Sequence, residues 1–320
     1  MKSSAPASTN LILDPTEPPR RPINMEALKG FLYSIGSYVD AALIQSPEKD
    51  LVHYTTLDGF LSILQNGDLW LTDSRYCNDE EELVHGHRVA MKVVEEELSN
   101  ANDPARKAFL ENVRAIVIQP PTQGVFICCF CDRDNLLSQW RGYAAYGTGV
   151  SLRIEAGQLS YLTGADCQHG LMRCWRVVYD SDRQEKIVRS AINYSFETGV
   201  SAEDAAQRAA DGIQFFIPTF KNPDFKEESE WRIIFTPNVP CLVPPSFRVK
   251  GSMLAPYYSL SALAAPPGMN PPPPIQLSTN HITVGPSANK NLNVAAIRSF
   301  LELRNLSHVT VSASATPFRS

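Results

Sequence analysis

Apolar and polar residues alternate from Ser229 to Phe235, with Trp231, Ile233 and Phe235 at every second place. Period-two alternation marks a half-buried strand. It directs Trp231, Ile233 and Phe235 to a core, and Glu228, Glu230, Arg232 and Ile234 to the opposite face. Shorter strands are expected over 51–56, 69–71, 150–155, 174–179, 281–284 and 308–311. The run Val125 to Cys131 is apolar throughout, as in a central strand covered on both faces. Helical spacing appears from Met25 to Leu43, from Leu57 to Leu64, over 80–100, from Asp103 to about Gln119, over 132–145, twice within 182–221, and over 289–304. Thr56 and Gly67 suit the two ends of the Leu57 helix, and Asp103-Pro104 suits the start of another. Residues 1–23 read as a polar, proline-containing tail, and 24–320 as a single α+β domain. The proline-rich stretch 255–274 reads as an irregular loop.

Composition narrows the function. The chain has 320 residues, 43% hydrophobic and 20% charged, which is ordinary for a globular protein. A net charge of -5 argues against broad non-specific nucleic-acid binding, which needs a basic surface. No apolar run approaches the roughly 20 residues of a membrane span, and the N-terminal stretch has no secretory apolar region. No membrane association is therefore expected. The seven cysteines are odd in number and scattered, which suggests reduced thiols and a cytoplasmic location.

Several clusters could carry chemistry. Glu228 and Glu230 would stand about 7 Å apart on one strand face. They form either a solvated face with Arg232 neutralising Glu230, or a polar cleft. His53, Tyr54 and Thr55 end a strand just before a helix, a common place for ligand contacts. Asn78, Asp79 and Glu82 lie at a loop-to-helix junction, where capping is the simpler role. Trp140, Arg141 and Tyr143 bring aromatic rings and a guanidinium together, or a core tryptophan beside a surface arginine. Cys128 and Cys131 have C-x-x-C spacing but no second ligand pair, and alternation sends them to opposite faces, so no metal is expected. Phosphate-loop, dinucleotide-fingerprint and nucleophile-elbow motifs are absent.

Taken in order, these pieces resemble one bacterial family, domain of unknown function 2971. They are His53-Tyr54-Thr55, Gly67 before a Leu-Trp strand, Asn78-Asp79-x-x-Glu82, Ser138-x-Trp140-x-x-Tyr143-Ala144 and Glu228-x-Glu230-Trp231-Arg232. Val284-Gly285-Pro286 and Pro317-x-Arg319 fit as well, so the resemblance spans roughly 50 to 319. A second resemblance is to ADP-ribosyltransferases, through the early His-x-Thr strand end and the late Glu-x-Glu strand. The usual Ser-Thr-Ser strand of that superfamily is replaced by Cys128-Cys129-Phe130-Cys131.

The second resemblance implies a mixed or antiparallel β core flanked by helices, with NAD as substrate and no metal. It implies that Glu230 is the essential carboxylate and that Glu228 orients or deprotonates the acceptor. His53 would contact the NAD ribose beside Tyr54 and Thr55. Tyr76, Trp140 or Tyr143 would stack on nicotinamide, Arg75 or Arg141 would pair with the pyrophosphate, and Asn78 would complete the site. A fixed carboxylate beneath the sugar suits an oxocarbenium-like transition state. The expectation is an NAD-consuming enzyme that transfers ADP-ribose to a protein or nucleic-acid acceptor, or to water, in the manner of toxins and anti-phage effectors. The alternatives are a non-catalytic ligand-binding or interaction module, and a divalent-metal hydrolase or nuclease using Asp79, Glu82 and the Glu pair.

Overall fold

A computed structural model describes residues 46–77, 81–118, 124–164, 167, 169–197, 200–238, 241–264 and 277–316. The expected tail, the helix from Met25 to Leu43, Asn78, Asp79 and the terminal Pro317-x-Arg319 lie outside these residues. The chain is a mixed α/β fold, consistent with α+β. Its strands are β1 (Leu51–Thr55), β2 (Trp70–Asp73), β3 (Phe126–Cys131), β4 (Val150–Ile154), β5 (Gly170–Arg176), β6 (Glu230–Pro237), β7 (Ser246–Lys250), β8 (Met253–Ser259), β9 (Thr279–Val284) and β10 (Thr310–Ala313). Its helices are α1 (Leu57–Asn66), α2 (Glu81–Asn100), α3 (Pro104–Val117), α4 (Leu137–Gly142), α5 (Ala156–Gly164), α6 (Ser181–Glu197), α7 (Ala202–Phe216), α8 (Leu260–Ala264) and α9 (Lys290–Leu303).

Local chemistry sets the ends of these elements. The Thr56 hydroxyl accepts from Gly59 N–H at 3.0 Å to start α1, and Gly67, at φ 62°, closes it in the left-handed region. Asp103 accepts from the N–H groups of Ala105 and Arg106 to start α3. Helix α7 buries Ala205, Ala206, Ala209 and Ala210, side chains small enough for neighbouring helices to approach closely. No helix among the described residues is long and apolar enough to cross a membrane.

The strands join in the order β10-β9-β4-β1-β3-β2-β8-β7, with β6 on the other edge of β3 and β5 beyond it. Only the β9–β10 pair is parallel among the named strands, and α9 provides its crossover. Alternation along β5 and β6 divides two cores. Met172, Cys174, Ile233 and Phe235 pack with Phe60 of α1 and Ile297 of α9. Trp175 turns the other way, into a helical core with Val94, Phe109, Ile192 and Phe216.

Several elements depart from the sequence expectations. The helix expected over 132–145 is only α4, because Asn135 (φ 59°), Ala145 (φ 46°) and Tyr146 (φ 52°) adopt left-handed turns around it. Residues 255–264 are not an irregular loop: they form the end of β8 and all of α8. The β7–β8 hairpin and α5 had no counterpart in the sequence reading. Strand β6 starts only at Glu230, because Ser229 (φ 46°) breaks the chain out of a 3-10 turn spanning Pro223–Glu228.

Gly149 is a point where backbones touch. A Cβ there would lie 2.2 Å from the Thr55 carbonyl oxygen and 3.1 Å from the Ala144 backbone. Neither neighbour is the tip of a flexible side chain. Gly149→Ala is expected to cost about 1–3 kcal/mol, read as a lower urea midpoint; an unchanged midpoint would show that this approach is not tight.

Candidate ligand-binding site

Strand β3 has more neighbours than one edge can hold. Strand β6 pairs with it over its whole length, Phe126↔Phe235 to Cys131↔Glu230. The other edge is shared: β1 meets it at Cys131, through Val52, while β2 meets it at Phe126 and Ile127. Both run antiparallel to β3, so they point the same way and diverge between these contacts. Helix α1 bridges them. A cavity of about 720 Å³ opens at this fork, lined from β1, α1, β2, β3, the α4 region and β7.

His53 sits in the fork. Its Nδ1 is 2.9 Å from the carbonyl oxygen of Cys129, on the β3 edge that has no strand partner there. A carbonyl can only accept, so Nδ1 carries the hydrogen and Nε2 is left as an acceptor. Burial lowers the pKa of His53, and the proximity of Arg248 pushes the same way, against the support of the Cys129 carbonyl. The ring is therefore neutral near pH 7. Among the described residues Nε2 has no hydrogen-bond partner. Tyr54, Thr55 and Tyr143 also line the cavity.

The expected carboxylate does not face His53. Cross-strand partners share a sheet face, so Val52, Cys131 and Glu230 form one row. His53 alternates to the other face, where its ring lies 5.5 Å from that of Phe130. Glu230 is buried, with 2% of its side chain exposed, and does not line the cavity. Arg232 Nε donates to its Oε1 at 2.8 Å and Arg232 Nη2 to its Oε2 at 3.0 Å. Lys221 Nζ donates to the same Oε2 at 2.9 Å and to Glu228 Oε2 at 2.7 Å. The Glu230 N–H donates to the Tyr179 hydroxyl at 3.0 Å. Burial opposes ionisation of Glu230. The Arg232 guanidinium, then Lys221, and a hydrogen bond from Cys129 outweigh it and lower its pKa from 4.5 to about 2. Glu228 precedes the strand in the 3-10 turn, so the two carboxylates are not strand-face neighbours; Lys221 brings them together.

The remaining expected residues divide. Trp140 is fully buried and packs edge-on against Tyr54, with centroids 4.9 Å apart, so it is core and not a stacking platform for nicotinamide. Arg141 is exposed on α4 and does not line the cavity. Arg75 is held by both carboxylate oxygens of Asp73, at 3.0 and 2.7 Å, away from the cavity. Tyr76 gives its carbonyl oxygen to Lys250 and does not line the cavity. Asn78 lies outside the described residues. The sequence reading missed Arg248 and Lys250 on β7, and Trp70 and Gln139, all of which line the cavity. The alternation of Phe247 and Val249 with Arg248 and Lys250, followed by Gly251 (φ 60°), was the available signal for that strand. Among the described residues no group of three or more His, Cys, Asp or Glu could hold a metal ion, and Lys221 and Arg232 occupy the Glu pair.

A carboxylate with a depressed folded pKa stabilises the fold above its unfolded pKa, and this contribution fades as pH falls through the folded value. For Glu230 the window runs from about 4.5 down to about 2. Glu230→Gln is expected to lose about 3–5 kcal/mol near pH 7, by leaving Arg232 and Lys221 undercompensated. Denaturation at a series of pH values should show the gap to wild type narrowing below about pH 4.5. A gap constant down to pH about 2.5 would contradict an ionised Glu230.

No curated protein and no solved structure matches the chain. Residues 139–233, from α4 to the middle of β6, match the family model described as Protein of unknown function (DUF2971). That segment contains Trp140, Tyr143, Lys221, Glu228, Glu230 and Arg232, so the chain carries the DUF2971 sequence signature on the elements that build the buried ionic group and one wall of the cavity.

Proposed function

We propose that the forked cavity binds NAD or a close dinucleotide relative, and that ligand binding there is the primary function of this protein. The observation that carries the reading is His53: a neutral imidazole fixed through Nδ1, with Nε2 free to accept from a ribose hydroxyl. The cavity volume falls within the roughly 300–1,000 Å³ of small-molecule sites. Tyr143 lines the cavity as an aromatic partner for a planar ring. The likeness of the His-x-Thr strand end to that of ADP-ribosyltransferases points to the same ligand.

A second reading is turnover of that ligand, as an ADP-ribosyltransferase-like enzyme passing ADP-ribose to a protein, a nucleic acid or water. One observation favours it. Tyr143 lines the cavity and is an electrostatic neighbour of Glu230, Lys221 and Glu228, so the ionic group lies behind the cavity wall. Glu228 is the more accessible acid of the pair, at 12% exposed against 2%. Binding makes no demand on Glu230, which is fully engaged and stands on the sheet face opposite His53.

Trp70 gives an intrinsic fluorescence signal for titration with NAD, while chromatography of the same mixture reads free nicotinamide. NAD is expected to bind, with no nicotinamide accumulating. His53→Ala should weaken binding roughly 3- to 10-fold, the worth of one ordinary hydrogen bond. Absence of NAD binding would overturn the first reading. Nicotinamide release lost in a folded Glu228→Gln variant would establish the second in its place.

A further inference from the structure

We infer that Arg248 and Lys250 form an anion subsite in the forked cavity that takes the diphosphate of a nucleotide. The inference rests on the nucleotide reading above and names which part of the ligand lies where. Arg248 and Lys250 are two apart on β7, so they share one strand face, and both line the cavity.

Arg248 is the central observation. Its guanidinium donates from Nη2 to the Thr72 hydroxyl at 2.6 Å and lies 5.3 Å from the Trp70 ring. No carboxylate pairs with it among the described residues, and its Nε is buried with no hydrogen-bond partner. That nitrogen is closed to a ligand, so an incoming anion meets the other guanidinium hydrogens, and a partly buried cation with no counterion favours one. Two contacts hold the guanidinium in place, and a planar fork suits phosphate oxygens. Lys250 Nζ is oriented by the Tyr76 carbonyl at 2.6 Å. It keeps further donors, since an ammonium has three.

Two acids, Asp68 and Asp58, also line the cavity, and neither forms an ion pair with Arg248 or Lys250 among the described residues. The carboxylate of Asp68 accepts from the Ser261 N–H and hydroxyl, each at 3.0 Å, and from the Ser259 hydroxyl. Asp58 is exposed in the first turn of α1. That turn also presents the positive end of a ten-residue helix to the cavity, through Thr56 and Gly59. The ligand in this arrangement has its ribose at His53 and its phosphates toward β7.

The test uses the full chain and four probes: NAD, ADP-ribose, adenosine and inorganic pyrophosphate, titrated by calorimetry. Wild type is expected to bind NAD and ADP-ribose, with pyrophosphate competing. Arg248→Gln should weaken ADP-ribose about 10- to 100-fold, as for loss of a charge-assisted contact. Adenosine should be unaffected, and Arg248→Lys should restore part of the loss. Circular dichroism of each variant checks that the fold persists. ADP-ribose binding equal to wild type in a folded Arg248→Gln, Lys250→Gln double variant overturns the subsite and leaves the nucleotide reading standing. Pyrophosphate binding that depends on Arg248, with no NAD or adenosine binding, sustains the subsite and overturns the nucleotide reading. No binding of any probe to wild type overturns both.

Discussion

The edge of β3 that β1 and β2 must share is the constraint on which the site depends. Six residues of β3 pair fully with β6 on one side. On the other side β1 and β2 take opposite ends, so among the described residues no strand pairs with that edge between them. Buried carbonyls rarely stay unpaired. The Cys129 carbonyl is satisfied by the His53 imidazole, a side chain standing in for a missing strand. The same bond fixes the ring, its tautomer and the direction of its free nitrogen. Cavity and candidate contact thus follow from one feature of the sheet, since two strands leave β3 at a point where apolar packing does not close the gap.

Behind this wall the ionic group solves a different problem. The chain enters β6 from a 3-10 turn through a left-handed Ser229, a junction with little regular backbone pairing. Lys221 reaches from before that turn to acids at its end and at the start of the strand, while Arg232 adds a carbonyl from Pro218. Two cations and two carboxylates leave the group neutral overall. Its net stabilisation need not be large, because desolvating four charges offsets most of their attraction. Its directional bonds instead fix the course of the turn. Cys129 and Tyr143 connect this group to the cavity, as thiol donor and as electrostatic neighbour.

Period and caps made much of the fold legible in the sequence. Thr56, Gly67 and Asp103 act where their chemistry predicted, and the alternation of Trp231, Ile233 and Phe235 gave the correct faces of β6. The β7–β8 hairpin was hidden because Phe247, Val249 and Leu254 are exposed, so alternation there did not mark a core. Residues 255–264 were misread because the prolines that follow dominated the window, although Ala255 and Tyr258 are buried strand residues. Along the cavity, the positions of His53, Tyr54 and Thr55 were legible because a strand end before a capped helix is a local signal. Arg248 and Lys250 were not, because they reach the cavity only through the order of strands β3, β2, β8 and β7. Sequence spacing carries no record of that order.

Glu228 and Glu230 show how much such a motif leaves to the fold. A carboxylate that stabilises a developing sugar cation must keep its field unopposed at the reacting centre. Two acids close in sequence invite that role, and the face on which they stand seems the only question. Their cations decide instead. Arg232, two residues on, is the neighbour a strand reading already allows, and it takes both oxygens of Glu230. Lys221 stands further back in the chain and joins the pair only because the 3-10 turn folds it over. A neutral cluster of paired charges has a field that falls off steeply, so at the cavity it acts through the geometry of Tyr143 and Cys129 more than through charge. On the opposite wall of the fork stands Arg248, a cation that no carboxylate pairs with among the described residues. A cation held there without a counterion favours an anionic group beside it, whatever reaction follows.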